Sequence, residues 1–190
     1  EPGFLALTIV LGILMSTNGA LIAHLPPIAM ELGLAPTSAA GLVSILSVAA
    51  IIGKLLFGFA ADHVDRRLLL AGASALVATF VGILASEPPA GWLAASVLLP
   101  GLALGGILPL WGAILCDYYG TESMAGAMGL MMPMMVTVQI AAMQLLPWVY
   151  DQSGSYQSAF RFMLGAFVLV AAAMTKLRPP APEPQAGDGG

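Results

Sequence analysis

A single lysine, Lys54, interrupts an apolar run, and eight residues later the chain carries Asp62, His63, Asp65, Arg66 and Arg67 in quick succession. These are the side chains whose types and spacing allow chemistry. An ammonium inside apolar sequence attracts an anion, provided that water or a ligand reaches it. A tight group of acids and bases does something else: it forms ion pairs that fix a loop or latch two elements together. The chain does not otherwise invite catalysis. Cys116 stands alone, so neither an internal disulfide nor a cysteine metal site can be built. No phosphate-binding GxxxxGK[ST] run appears, and no nucleophile–base or metal-ligand cluster emerges. The reading is therefore not an enzyme, with no cofactor and no metal.

The surroundings of those charges set the solvent. Of 190 residues, 59% are apolar and 8% charged. A water-soluble domain carries about 25% charged residues, so lipid is the expected surroundings. The net charge of −4 comes without a basic stripe, which leaves nucleic acid out. The chain opens on Glu1 and lacks a basic n-region, so its first apolar run is not a signal peptide and is read as the interior of something longer.

A spanning helix needs about 20 mostly apolar residues. The predicted fold class is an all-α membrane protein with six spans, at residues 3–23, 39–61, 68–86, 91–116, 123–149 and 158–175. Residues 1–178 form one transmembrane unit. Residues 179–190, rich in Pro and Gly, are expected to be a disordered tail. Breakers sit in the connections, and Pro36 with Thr37-Ser38 suits the turn and N-cap of the second span. An even number of spans puts both ends on one side, with Arg66, Arg67, Lys176 and Arg178 there and Arg161 on the other. Positive residues remain inside, so both ends are expected to be cytoplasmic, in a multi-pass protein of the inner or plasma membrane.

The spans are not equivalent. The third and sixth are almost purely apolar and are expected to face lipid. The first, second, fourth and fifth carry Asn18, Lys54, Pro100, Pro109, Pro133, Gln139 and Gln144, and are expected to line an interior or a wet path. Leu25-Pro26 and Gly41-Leu42 have counterparts in Leu108-Pro109 and Gly129-Leu130. Three-helix units repeated this way would be inverted in the membrane, a transporter design with the site between the repeats.

Lys54 lies about 12 Å deeper than Asp62 at 1.5 Å per residue, and no acid occurs between Glu31 and Asp62. Three readings stand: it binds a substrate anion in a wet cavity, it pairs with a residue of another part of the protein, or it snorkels. Asp62 and Arg66 have the spacing of a helical pair. Asp117 reads as a helix end. Asn18, Gln139 and Gln144 are candidate hydrogen-bond partners for a polar substrate, and equally for neighbouring helices. Trp111 is a candidate substrate contact or a core residue.

The run GFAADHVDRRLL resembles the loop signature of the major facilitator superfamily, Gly-x-x-x-Asp-Arg-x-Gly-Arg-Arg or Lys. Gly58, Asp62, Arg66 and Arg67 match; His63 and Asp65 depart from it. Residues 101–120 look like the family's tenth helix and its following loop, and YDQSGSYQSAF is similar to the run before the twelfth. That run is shared with monocarboxylate and oxalate–formate type carriers. The resemblance implies the C-terminal half of a twelve-helix carrier built of inverted three-helix repeats. Its expected partners are the lipid bilayer, a small organic anion and an N-terminal six-helix half. It also implies that the loop of Gly58, Asp62, Arg66 and Arg67 gates the cytoplasmic side. Lys54 resembles the carboxylate-binding cation of the eighth helix. The implied function is secondary active transport of an organic anion such as a monocarboxylate. A multidrug efflux carrier of the same fold, and a non-transporting receptor or structural membrane protein, are the alternatives.

Overall fold

A computed structural model describes residues 2–86, 88–153, 160–161 and 163–165. Among these every regular element is a helix: α1 (Pro2–Glu31), α2 (Pro36–Ala60), α3 (Arg66–Ala85), α4 (Ala90–Ser96) and α5 (Leu98–Ser153). Three stretches, Pro36–Ala60, Arg66–Ala85 and Gly91–Ala141, are long and apolar enough to cross a membrane. The sixth predicted span falls mostly outside the described residues, as does the tail; residues 160–161 and 163–165 are helical.

Each boundary has a local cause. α1 runs past residue 23 to Glu31 with Pro26 and Pro27 inside it. Two prolines remove two backbone donors, yet Leu25, Ile28 and Ala29 are buried around them, so packing holds the last turns helical. α2 starts at Pro36, after an extended Ala35 that offers no side-chain cap. The expected cap from Thr37-Ser38 does not form, because the helix already starts at Pro36 and places both residues inside its first turn. α3 begins at Arg66 behind a side-chain cap: the Asp65 carboxylate accepts the Arg67 amide at 2.9 Å.

α5 consists of two helical arms that meet in a reversal at Gly120, whose φ of +69° and ψ of 170° only glycine adopts without strain. The loop expected between the fourth and fifth spans is this single bend. The first arm, residues 98–119, and the second, residues 121–153, then pack side by side. Trp111, buried on the first arm, donates its indole N–H to the Met131 sulfur on the second at 3.3 Å.

α1, α2 and α3 all pack on α5, with the α2–α5 interface the most extensive. The core follows the helical period, through Leu42, Leu46, Ala49 and Gly53 on α2 and Leu70, Ala73, Val77 and Phe80 on α3. Hydroxyls caught in it, those of Thr8, Ser16 and Ser74, donate to the carbonyl four residues back. α2 is the least covered span.

Candidate functional site

The α2–α5 crossing explains where Lys54 is held. At Gly53 an added Cβ would collide with the Leu102 carbonyl oxygen. At Gly101 it would fall 2.6 Å from both the Ala49 Cβ and the Leu46 carbonyl oxygen. At Gly105 it would collide with the Ala50 carbonyl oxygen and lie 2.7 Å from the Lys54 amide nitrogen. The two backbones therefore touch, through Ala49-x-x-x-Gly53 on one helix and Gly101-x-x-x-Gly105 on the other. Small residues spaced by four allow this approach, and in lipid van der Waals packing of this kind holds helices together.

Away from that contact α2 shows two different faces. One carries Ile45, Val48, Ile52, Leu55, Leu56 and Phe59, all large and all exposed; this is the composition of a lipid face. The other follows the helical period through Val43, Ser47, Ala50, Lys54 and Gly58, smaller and more polar than the first, with exposed Ile51 at its edge. Lys54 is exposed on this second face. Among the described residues its ammonium forms no ion pair; Arg66–Asp117 is the pair found there. Ser47, on the same face, donates its hydroxyl to the Val43 carbonyl at 2.8 Å.

The direction of the side chain matters as well. Side chains on an α-helix lean toward its N-terminus. α2 runs toward the charged end, so this lean carries the Lys54 stem toward Ala50 and away from the nearer headgroups. Snorkelling to the near edge would work against the rotamers that a helix favours, while an ammonium left unpaired in hydrocarbon costs about 2.5–3.5 kcal/mol on insertion scales.

The charged cluster is built differently. The Arg66 guanidinium pairs with the Asp117 carboxylate and also donates to the Ala113 carbonyl at 3.1 Å. It thus sits at the C-terminal end of the first α5 arm, where the helix dipole favours a cation. Arg67 donates to the Tyr118 hydroxyl at 2.7 Å, with its guanidinium carbon 5.4 Å from that ring's centre. Tyr118 stands beside the Gly120 bend, beyond the apolar part of the arm. Residues 61–64 form a turn, so the expected helical pairing of Asp62 with Arg66 is replaced by Arg66–Asp117; Asp62 itself is exposed. Gly58 is half-buried, with open space where a Cβ would go. A cleft of about 610 Å³ lies here, lined in part by Ala61, Val64, Arg66, Ile114 and Tyr118. Phe4 meets Tyr119 edge to face at 5.9 Å. The starts of α1 and α3, the end of α2 and the Gly120 bend therefore gather at one end of the molecule.

The other expected site residues are dispersed. Gln139 lies against α1, its amide nitrogen 3.3 Å from where a Gly19 Cβ would be. The neighbouring Asn18 side chain lies outside the described residues. Gln144 is exposed. Five residues separate it from Gln139, a rotation of about 140°, so the two do not share a face. Trp111 belongs to the core between the α5 arms. Sequence reasoning passes over Asp117 and Tyr118 as the partners of the two arginines. Equal span parity puts both loops at one end, and opposite charges there are the available signal. It also passes over the glycine crossing, although both small-xxx-small runs are plain in the sequence.

Helices of this length and apolarity, crossing through glycines and closed at one end by a basic loop, define a multi-pass membrane protein. The chain belongs to the Major Facilitator Superfamily, whose family profile matches residues 5–190. It is similar to monocarboxylate transporter 12-B of Danio rerio, 26% identical over 180 residues, covering 91% of this chain and 37% of that protein. It is also similar to monocarboxylate transporter 12 of Xenopus laevis, 25% identical over 154 residues, covering 77% of this chain and 32% of that protein. The chain thus spans about a third of the length of these curated relatives.

Proposed function

We propose that this chain is the C-terminal half of a secondary transporter that moves a small organic anion, a monocarboxylate by preference, by alternating access. In this reading it has six spans in two inverted three-helix units, its ends are cytoplasmic, and an N-terminal six-helix half closes the cavity in the inner or plasma membrane. The observation that carries it is the placement of Lys54. It is a solitary cation in an apolar span, on the small-residue face of α2 opposite the bulky exposed one. A carboxylate entering along that face meets a fixed positive charge with no competing acid among the described residues. Rocking of the two halves then exposes the pair to either side. The Arg66–Asp117 and Arg67–Tyr118 contacts hold the cytoplasmic ends of α3 and the first α5 arm together while the Asp62 loop engages and releases. The relatives, named as monocarboxylate transporters, support the choice of ligand.

The test uses the full-length carrier in liposomes with labelled lactate inside or out. Lys54→Ala should abolish uptake and counterflow, while Lys54→Arg should retain part of both. Wild-type rate and affinity in Lys54→Ala would remove the anion-binding assignment. A second reading, efflux of amphipathic compounds, draws on the exposed Leu130, Met132, Met134 and Val136 of the second α5 arm, an adaptable apolar surface. Drug export insensitive to Lys54, without lactate movement, would favour it. Absence of any counterflow in the complete protein would favour a receptor or structural role.

A further inference from the structure

We infer that Gly105 is the positioning residue for Lys54: its missing side chain lets the backbone of the first α5 arm seat directly under the Lys54 turn and so fixes where the ammonium stands. This rests on the proposed role of Lys54 in binding a carboxylate.

Three observations carry it. First, the three atoms nearest a Cβ at Gly105 are all backbone, from the Ala50 carbonyl and the Lys54 amide nitrogen. Backbone cannot rotate out of the way, so any larger residue moves the whole turn. Gly106 is different, because its added Cβ would meet the ring of Phe57, a side chain and not backbone. Secondly, the seat coincides with the charged turn itself. The nearest atoms met at Gly53 and Gly101 belong to Leu46, Ala49 and Leu102 instead. Thirdly, the lysine has no ion pair among the described residues to hold it. A long side chain unpaired at its tip takes its location from its backbone alone. The turn-to-turn contact therefore does for Lys54 what Asp117 does for Arg66.

The effect belongs to affinity for the charged group, and that separates it from general loosening. An ammonium displaced with its turn loses a carboxylate more than it loses a neutral isostere. In the full-length carrier, Gly105→Ala should raise the KM for lactate at least tenfold, with a smaller change in kcat. It should also erase most of the preference for lactate over lactamide. Lys54→Arg, with its longer reach, should recover part of that preference in the Gly105→Ala background. Gly101→Ala, one turn away, also drives a methyl against α2, 2.6 Å from the Leu46 carbonyl oxygen; it should lower the yield of folded protein while the recovered carrier keeps its preference for the acid. Unchanged lactate affinity and selectivity in folded Gly105→Ala would overturn the inference, and so would an equal loss of selectivity in Gly101→Ala.

Should Gly105→Ala not fold, the double variant Ala50→Lys with Lys54→Ala decides. It keeps Gly105 and moves the ammonium one turn along the same face. Lost lactate preference supports a pinned position, and retained preference overturns it. The failure of the positioning role and the failure of the proposed function are distinguishable. If Lys54→Ala keeps the acid preference, the proposed function falls. If Lys54→Ala loses it and Gly105→Ala does not, only the positioning role falls.

Discussion

Two sets of cations on neighbouring helices are treated in opposite ways. Arg66 and Arg67, at the start of α3, each find a partner on the first α5 arm: a carboxylate and a carbonyl for one, a phenol hydroxyl and its ring for the other. Lys54, near the end of α2, forms no ion pair among the described residues, and its turn is instead seated backbone to backbone on Gly105. The first arrangement restrains side chains and leaves the charge spent. The second restrains the backbone and leaves the charge available. A cation that holds a fold is satisfied by the fold, whereas one that takes a transient ligand has to be held by something other than its charge.

The strongest test of that contrast is to remove each kind of charge and measure two things at once. Lys54→Ala should reduce labelled lactate uptake by at least about a hundredfold, the 2.7 kcal/mol scale of a lost hydrogen-bonded charge contact. Its thermal unfolding in detergent should stay at the wild-type midpoint, since no ion pair among the described residues uses the ammonium. A large fall in the midpoint would make Lys54 a structural residue and end the comparison. Next in size is the crossing itself. Gly53→Ala drives a methyl into the Leu102 carbonyl, and such overpacking costs about 1–3 kcal/mol. It should appear as a lower unfolding midpoint and poorer recovery of monodisperse protein. A neutral result would mean that the helices meet less closely than the glycines allow.

The same contrast explains what is legible in the sequence. Span positions follow from apolar length, which lipid enforces residue by residue, so the depth of Lys54 can be read from its place in the apolar run. Its face cannot, because depth depends on one helix and direction depends on which neighbour packs where. The bulky run Ile45, Val48, Ile52, Leu55, Leu56 and Phe59 and the small run Val43, Ser47, Ala50 and Gly58 become lipid and non-lipid faces only once Gly53 is fixed against Leu102. The arginines are recognisable through their loop, but local spacing favours Asp62, four residues from Arg66. The chain turns at residues 61–64 and hands Arg66 to Asp117, fifty-one positions on. Span ends show the same bias toward local signals. Pro26-Pro27 reads as a stop, yet buried Leu25, Ile28 and Ala29 carry α1 through it.

The smaller effects fall at the charged end. Asp65→Ala removes the cap over the Arg67 amide and should cost about 1 kcal/mol, seen as a modest drop in the unfolding midpoint with transport affinity unchanged. Asp117→Asn should cost less still. The ion pair is partly open to solvent, with Arg66 30% and Asp117 53% exposed, and pairs so exposed contribute about 0.2–1 kcal/mol. Arg66 also keeps the Ala113 carbonyl after the change. A double-mutant cycle of Asp117→Asn with Arg66→Gln isolates the coupling, which should shrink as salt rises because screening acts on exposed charges. The cycle should be run once in detergent and once during turnover in liposomes. If the pair is a latch, Asp117→Asn shifts the balance between inward- and outward-open states, read by accessibility of a reporter cysteine, more than it shifts the unfolding midpoint. A coupling above about 2 kcal/mol that ignores salt would put Arg66 in a dry interior. Arg66 would then be held as a buried charge and not as an exposed latch, and the contrast drawn with Lys54 would fail.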